Sequence, residues 1–520
     1  VPYDVCVFGG TAGGVIAAVS AARLGRSVVL ASEGPRLGGM VSGGLGATDV
    51  GRNEIVGGIT REFYERTWRI YGVREPLWRI TPGVATRVFA DMVREAGVTV
   101  LAGVRILRAE KKAARLVRVS ADRGVTLEAR MFIDASYEGD LLAAAGVGYS
   151  VGREASAQYG EPLNGIRGAR KDSQFAPGVD PFVKPGNPGS GLLPCIQEGD
   201  GGPAGEGDRR VQAYNFRLCL TDVAANRIPV PPPEAYDPAR YELLARQISM
   251  LRDSGQAVKF TDFFLIVRLP DGKTDFNNTG PFSSDHVGAS WEYPDGGPEV
   301  RERIRRDHVE YTRGLFHFIR TDPRVPPEAR RGAEMWGLCR DEFTETGGWS
   351  PQLYVREARR MVGSMVLTQA DCERKKPVTD SVGMAAFTID SHICQRVVRE
   401  GKLENEGNIG ADVLPYPVSY GTLLPRQKEC ENLLVPVCLS ASHVSYGSLR
   451  MEPVFMVLGQ SAGFAASQAI AEGKSVQEIR IPVLQSALQS TGQVLDISVA
   501  GMKTEEWWHS WPHQPHVIKD

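Results

Sequence analysis

The sequence predicts an α/β fold in which a Rossmann-like nucleotide-binding domain is interrupted by an inserted α+β domain. Three observations carry this. The chain opens on a strand, a glycine-rich turn and a small-residue helix, YDVCVFGGTAGGVIAAVSAARLG. The same style returns late, in ENLLVPVCLSASHVSYGSLRMEPVFMVLGQSAGFAASQAI. Between them the composition turns first to glycine, proline and polar residues, then to mixed patterns with several aromatics. The expected partition is residues 1–151 with 375–475 for the nucleotide-binding domain, 152–374 for a substrate-side domain and 476–520 for a C-terminal tail. A chain of 520 residues is long enough for two cores.

YDVCVFGG reads as a β-branched strand, TAGGVIAAVSAARLG as a helix with apolar residues at helical spacing, and RSVVLAS as the next strand. Together they make a βαβ unit with the glycine turn at the helix start. Helices are expected over GGITREFYERTWRIYG and VATRVFADMVREAG, then strands joined by polar turns up to MFIDAS. Residues 152–207 read as long loops. RVQAYNFRLCLTD, residues 209–222, reads as one strand, PVPPPEAYDP as a rigid break, and residues 240–374 as helices and loops.

Composition excludes several classes of partner. The 60 basic and 62 acidic side chains nearly cancel, and no basic stripe or charge run appears. Nucleic acid and anionic membrane surfaces are therefore not expected partners. No apolar run is long enough to span a bilayer. Eight cysteines without a C-x-x-C give no disulfide framework, redox dithiol or metal site, and Cys6 reads as a small buried hydrophobe. Val1 stands immediately before the first strand, where a removed methionine, a trimmed leader and an edited start read alike. Cytoplasmic residence is the default expectation, with export after leader removal as the alternative. Oligomeric state has no signal.

The turn Gly9, Gly10, Thr11, Ala12, Gly13, Gly14 departs from G-x-G-x-x-G by one threonine. Gly9 allows the tight turn and Gly14 the close helix–strand packing, while backbone N–H groups at the helix start face a pyrophosphate. Ser32 and Glu33 stand where an acidic residue would accept a ribose hydroxyl. A second glycine-rich segment follows directly, GPRLGGMVSGGLGATD, with Arg36, Gly38, Gly39, Met40 and Gly44. A nicotinamide enzyme has no need of it, whereas a longer flavin dinucleotide does.

In GGTAGG, LGGMVSGGLGATD and GGITREFYE the chain resembles the FAD-dependent oxidoreductase family of the glutathione-reductase-like flavoprotein superfamily. The likeness continues through DASYEGDLLAAAG, QLYVREARRMVG, FTIDSH, SYGTLLPR and SLRMEPVFMVLGQSAGFAA. It implies FAD as cofactor and adds Ala135, Ser136, Gly139, Asp140, Ser440 and Met451 to the cofactor set. The family's succinate dehydrogenase relatives link FAD through a histidine in the loop that here reads GGMVSGG, so non-covalent FAD is expected. No second dinucleotide fingerprint follows, and D-G-x-x-S-x-x-R is missing.

Pro453 suits the first turn of a helix whose N-terminus would point at the flavin N1–C2 edge, with Arg450 just before it. Candidate acid–base residues are His443, His392, Tyr446, Arg450, Tyr354 and Arg356. His443 leads, because SASHVSYGSLR runs into that helix, and His392 reads as a brace for a strand end with Asp390. Asn215 and Arg217 alternate on one face of the expected strand and could hold substrate, as could Tyr354 and Arg356. The expected reaction is oxidation of a small alcohol, amine or activated C–C bond by hydride transfer to flavin N5. Alternatives are a flavin reductase or hydroxylase fed by external NAD(P)H, and a purely structural FAD. The electron acceptor is unassigned.

Overall fold

β1 (Tyr3–Phe8) has its last four residues buried, because it sits between two parallel neighbours. These are β2 (Val28–Ser32) and β6 (Thr126–Asp134), with Val7 opposite both Leu30 and Ile133. β3 (Thr99–Ala102) extends the sheet beyond β2, while β4 (Ile106–Lys112) and β5 (Arg115–Ala121) add an antiparallel edge beyond β6. Leu433–Leu434, some 300 residues on, joins the same sheet parallel to β6. Near-continuous apolar runs in β1 and β2 are what burial on both faces demands. The arrangement comes from a computed structural model, which describes residues 2–74, 77–504 and 516–518.

α1 (Ala12–Arg23) crosses the long helix Glu452–Glu472, and both are buried nearly throughout. Their small residues have a steric reason. A Cβ on Gly459 would overlap the carbonyl of Gly13, so the two backbones touch where the glycines lie. By length and composition the long helix could cross a membrane, but 89% of its apolar window is buried inside the protein. It is a core helix.

The second sheet is antiparallel and built from Leu218–Thr221, Arg227–Ile228, Phe264–Arg268, Lys273–Asn278 and Gly337–Cys339. The helices Glu242–Asp253, Pro298–Thr321 and Pro327–Met335 accompany it. Phe264 stacks on Phe316 at 4.7 Å, which ties sheet to helix. The mixed α/β architecture is the one expected, with two local differences. Of residues 209–222 only Leu218–Thr221 forms a strand, and Tyr214 and Asn215 make isolated bridges to His286 and Tyr354. That segment is buried and its side chains bond to separate loops, so its backbone never runs along one partner. The strands Phe264–Arg268 and Lys273–Asn278 were hidden among helical and loop patterns. Within the expected tail, helix Ile481–Ser490 leads to Gly492, whose carbonyl accepts from Gly58 N–H, and Val517 bridges to Val267.

Candidate functional site

Four motifs far apart in sequence meet at the end of β1. Gly9 has φ +109°, and a Cβ there would lie 2.5 Å from the Ala135 carbonyl carbon. Thr11 is the N-cap of α1: its hydroxyl accepts from Gly14 N–H (3.0 Å) and donates to Ala135 O (2.7 Å). The other first-turn N–H groups of α1, Ala12 and Gly13 among them, have no carbonyl within their own helix, which is the arrangement that holds an anion. Gly38 N–H donates to Gly10 O (2.7 Å), drawing the second glycine segment onto the first. Met40 N–H then donates to the Tyr137 hydroxyl (2.8 Å), which donates to Glu452 Oε1 (2.5 Å). GGTAGG, LGGM, SYEGD and RMEP are thus hydrogen-bonded into one cradle. Burial pushes the Glu452 carboxyl up to about 8.

Around this cradle the other residues expected to hold cofactor take definite positions. Ser32 is buried against Gly10. Desolvation, then the charges of Glu138 and Asp140, push Glu33 up to about 7. Ser136 donates to Asp134 (2.7 Å) and accepts from Gly139 N–H (3.0 Å), so this pair fixes the turn after β6. Asp140 is clamped by Arg301 and Arg359, each at 2.7 Å, and against the cost of burial they hold it below the usual carboxylate range. Arg36 turns to Thr86 and Glu345, while Gly44 packs against the Arg217 carbonyl. Ser440 accepts from Gly363 N–H, and Met451 is the N-cap of the long helix, with Pro453 in its first turn. Tyr137 and Glu452 were missed, although each stands inside a motif quoted above.

A cavity of about 370 Å³ lies apart from the cradle, lined in part by Asp49, Asn277, Asn278, Asp285, Asp390 and His392. One wall is a line of alternating basic and acidic groups. Arg356 pairs with Asp285 (2.8 Å), Asp285 with His392 Nδ1 (2.7 Å), His392 Nε2 faces Asp390 (3.4 Å), and Asp390 pairs with Arg450. Both aspartates sit below the usual carboxylate range, because the neighbouring arginines and the bonds to His392 outweigh the cost of burial. Tyr354 ties the two ends: Arg450 donates to its hydroxyl (3.2 Å), and the Arg356 guanidinium lies 5.0 Å from its ring centre.

The structure places the two histidines differently. His443 begins the helix His443–Leu449, is 0% exposed, and lies behind the wall, with Nδ1 on Glu357 (2.8 Å) and Nε2 on Ser391 (3.2 Å). Tyr446 is also buried and donates to Val437 O. His392 faces Asp390 (3.4 Å), the partner expected of a strand-end brace, and it also lines the cavity. Asn215 and Arg217 are buried in the segment just before the observed strand, not within it. Arg217 is held by both oxygens of Asp275 (2.8 and 2.6 Å), and Asn215 donates to Asn277 (3.3 Å). Arg450 is not a free positive charge, because Asp390 offsets it. Asp285, Asn277 and Asn278 carried no sequence signal, since they come from a region read as helices and loops. Among the described residues no cluster of His, Cys, Asp and Glu could hold a metal ion.

The sequence matches the family described as FAD dependent oxidoreductase over residues 4–488. No curated protein matches it. Among solved structures, OxyS anhydrotetracycline hydroxylase from Streptomyces rimosus is 14% identical over 30% of this chain and 36% of that one, with a TM-score of 0.24. Thioredoxin reductase from T. acidophilum is 18% identical over 30% and 40%, with a TM-score of 0.19. THI4 from Thermovibrio ammonificans is 21% identical over 31% and 71%, with a TM-score of 0.22. The chain spans less than half the length of the hydroxylase and the reductase it overlaps.

Proposed function

The chain belongs to the FAD dependent oxidoreductase family, and from that premise we propose that it oxidises a small polar alcohol or amine held beside His392. The protein is an oxidoreductase and FAD is its cofactor. When bound, FAD supplies a two-electron acceptor for the substrate's hydride. The cradle suits the dinucleotide: a turn too tight for side chains, a helix N-terminus for the pyrophosphate, and Ser32 and Glu33 for a ribose. We assign the adenosine half to this βαβ unit, as in glutathione-reductase-like flavoproteins, and the flavin end to the side of Met451 and Pro453. Residues 36–44 contain no histidine, which supports non-covalent attachment.

The observation that carries the chemistry is the line Arg356–Asp285–His392–Asp390–Arg450. A neutral imidazole that donates Nδ1–H to Asp285 leaves Nε2 as the acceptor. That nitrogen can take a proton from a substrate hydroxyl or amine, and Asp390 is placed to stabilise the imidazolium that results. Each supporting aspartate is anchored in turn by a buried arginine, so the ring is held in one orientation.

Anaerobic mixing of the FAD-loaded protein with a panel of small alcohols and amines tests this. Bleaching of the flavin by a panel member, slowed strongly in His392→Gln, is the expected result. Bleaching by NADPH alone, with no panel member active and no effect of His392→Gln, would replace this reading with that of a flavin reductase.

A further inference from the structure

We propose that Asp49 recognises a cationic amine, so that the cavity selects an amino-bearing polar compound over its hydroxyl analogue. The proposal rests on the cavity being the substrate site of the preceding reading. It begins from a pairing argument. The arginines whose charges reach Asp49 already have acidic partners: Arg450 has Asp390, and Arg217 has both oxygens of Asp275. Arg170, which also lines the cavity, is itself engaged. Among the described residues, Asp49 accepts no hydrogen bond and forms no ion pair. Its carboxylate lines the cavity half-buried, within the fields of Arg217 and Arg450 but with neither of them hydrogen-bonded or ion-paired to it.

A charge removed from water without a counter-ion is costly, and the group that removes the cost is a cation brought by the ligand. Burial pushes Asp49 up to about 6, with Asp390 and Asp275 adding to the rise while Arg217 and Arg450 oppose it. At neutral pH it is therefore ionised, though at a cost that a bound ammonium would relieve. A divalent metal is the poorer occupant, since among the described residues no metal-binding cluster exists. A hydroxyl can donate to the same carboxylate, but it brings no charge and leaves the desolvation uncompensated. The rest of the lining includes the amides of Asn277 and Asn278 and the hydroxyl of Thr279, which suit hydroxyl groups on the same ligand. The substrate class is accordingly a small aminoalcohol or aminopolyol.

The test is calorimetric titration of the FAD-loaded protein with three matched pairs: glucosamine and glucose, cyclohexylamine and cyclohexanol, putrescine and 1,4-butanediol. In at least one pair the amine is expected to bind tenfold or more tightly at pH 7. That preference should shrink toward unity at pH 5, where Asp49 is protonated. It should vanish in Asp49→Asn and survive in Asp49→Glu, and the wild-type comparison of the three pairs answers the question even if a variant fails to fold. Absence of an amine preference in every pair, whether from equal binding or from none, overturns the proposal. So does a preference that persists in Asp49→Asn. Flavin bleaching by the same compounds is scored separately. A preference dependent on Asp49 without bleaching would uphold amine recognition and count against the oxidation reading.

Discussion

The cradle at the end of β1 and the wall of the cavity solve the same problem, fixing polar groups in space, by different means. In the cradle the backbone is the working part, and side chains are deleted so that strands and helices can touch. Gly14 leaves room for the Gly9 carbonyl, and Gly459 for that of Gly13. In the wall the side chains are the working part. Two aspartates, a histidine and two arginines arrive from separate segments between residues 285 and 450 and neutralise one another. The first kind of site tolerates little added volume. The second has slack in volume, but every member depends on the charge of the next.

Substitutions at each place can break or sharpen that contrast. The largest effect is expected from Gly14→Val, whose Cβ has no space beside Gly9 O. It should abolish FAD retention, read as loss of yellow colour on gel filtration. Next comes the paired test of the histidines. His392→Gln should lower the rate of flavin reduction by roughly 10²–10⁴-fold, the usual weight of a general base, with little change in Tm. His443→Ala should do the opposite, because it strips the buried Glu357 of a partner. A loss of about 3 kcal/mol is the expected scale, offset in part by Arg360, which also pairs with Glu357 (2.7 Å). If His443→Ala slowed reduction as much as His392→Gln at unchanged Tm, the wall would lie elsewhere.

Glu452 joins the two regions, since it is acidic yet built into the cradle. Its carboxyl is raised from about 4.5 to about 8, so the folded state holds a proton that the unfolded state has lost. Stability from this group therefore falls as pH rises across that window and is flat beyond it. Glu452→Gln should flatten the fall of Tm between pH 5 and 8, measured on FAD-loaded protein. An unchanged slope would show the carboxylate to be ionised and paired. The smallest effect belongs to Thr11→Gly, which removes an N-cap and the bond to Ala135 O. It should cost about 1 kcal/mol, mostly from the lost bond to Ala135 because glycine is itself a fair N-cap, while FAD stays bound. Complete loss of flavin would instead make the threonine a ligand.

Thr11 shows how far the sequence could be read. As a departure from the glycine fingerprint it looked like a tolerated substitute, and only the structure shows its hydroxyl capping α1 and tying the turn to β6. The βαβ unit, the glycine turns and Pro453 in a helix's first turn were all legible. Each depends on residues within one or two turns of each other, where period, propensity and steric freedom act locally. The amphipathic helices Gly58–Ile70 and Pro82–Glu95 were legible for the same reason.

What the tertiary structure alone decided is which charges meet. Nothing near His392 in sequence indicates Asp285, and nothing near His443 indicates that Glu357 would hold it behind the wall. Nor does the buried stretch before Leu218 announce that Arg217 turns to Asp275. Glycine spacing sets a local backbone path, and the sequence by itself determined that path and, with it, the turn at the end of β1. A Coulombic partner is chosen by distance in space after the chain has closed, so the pairings of the cavity wall, and Asp49 left without a partner among the described residues, belong to the fold.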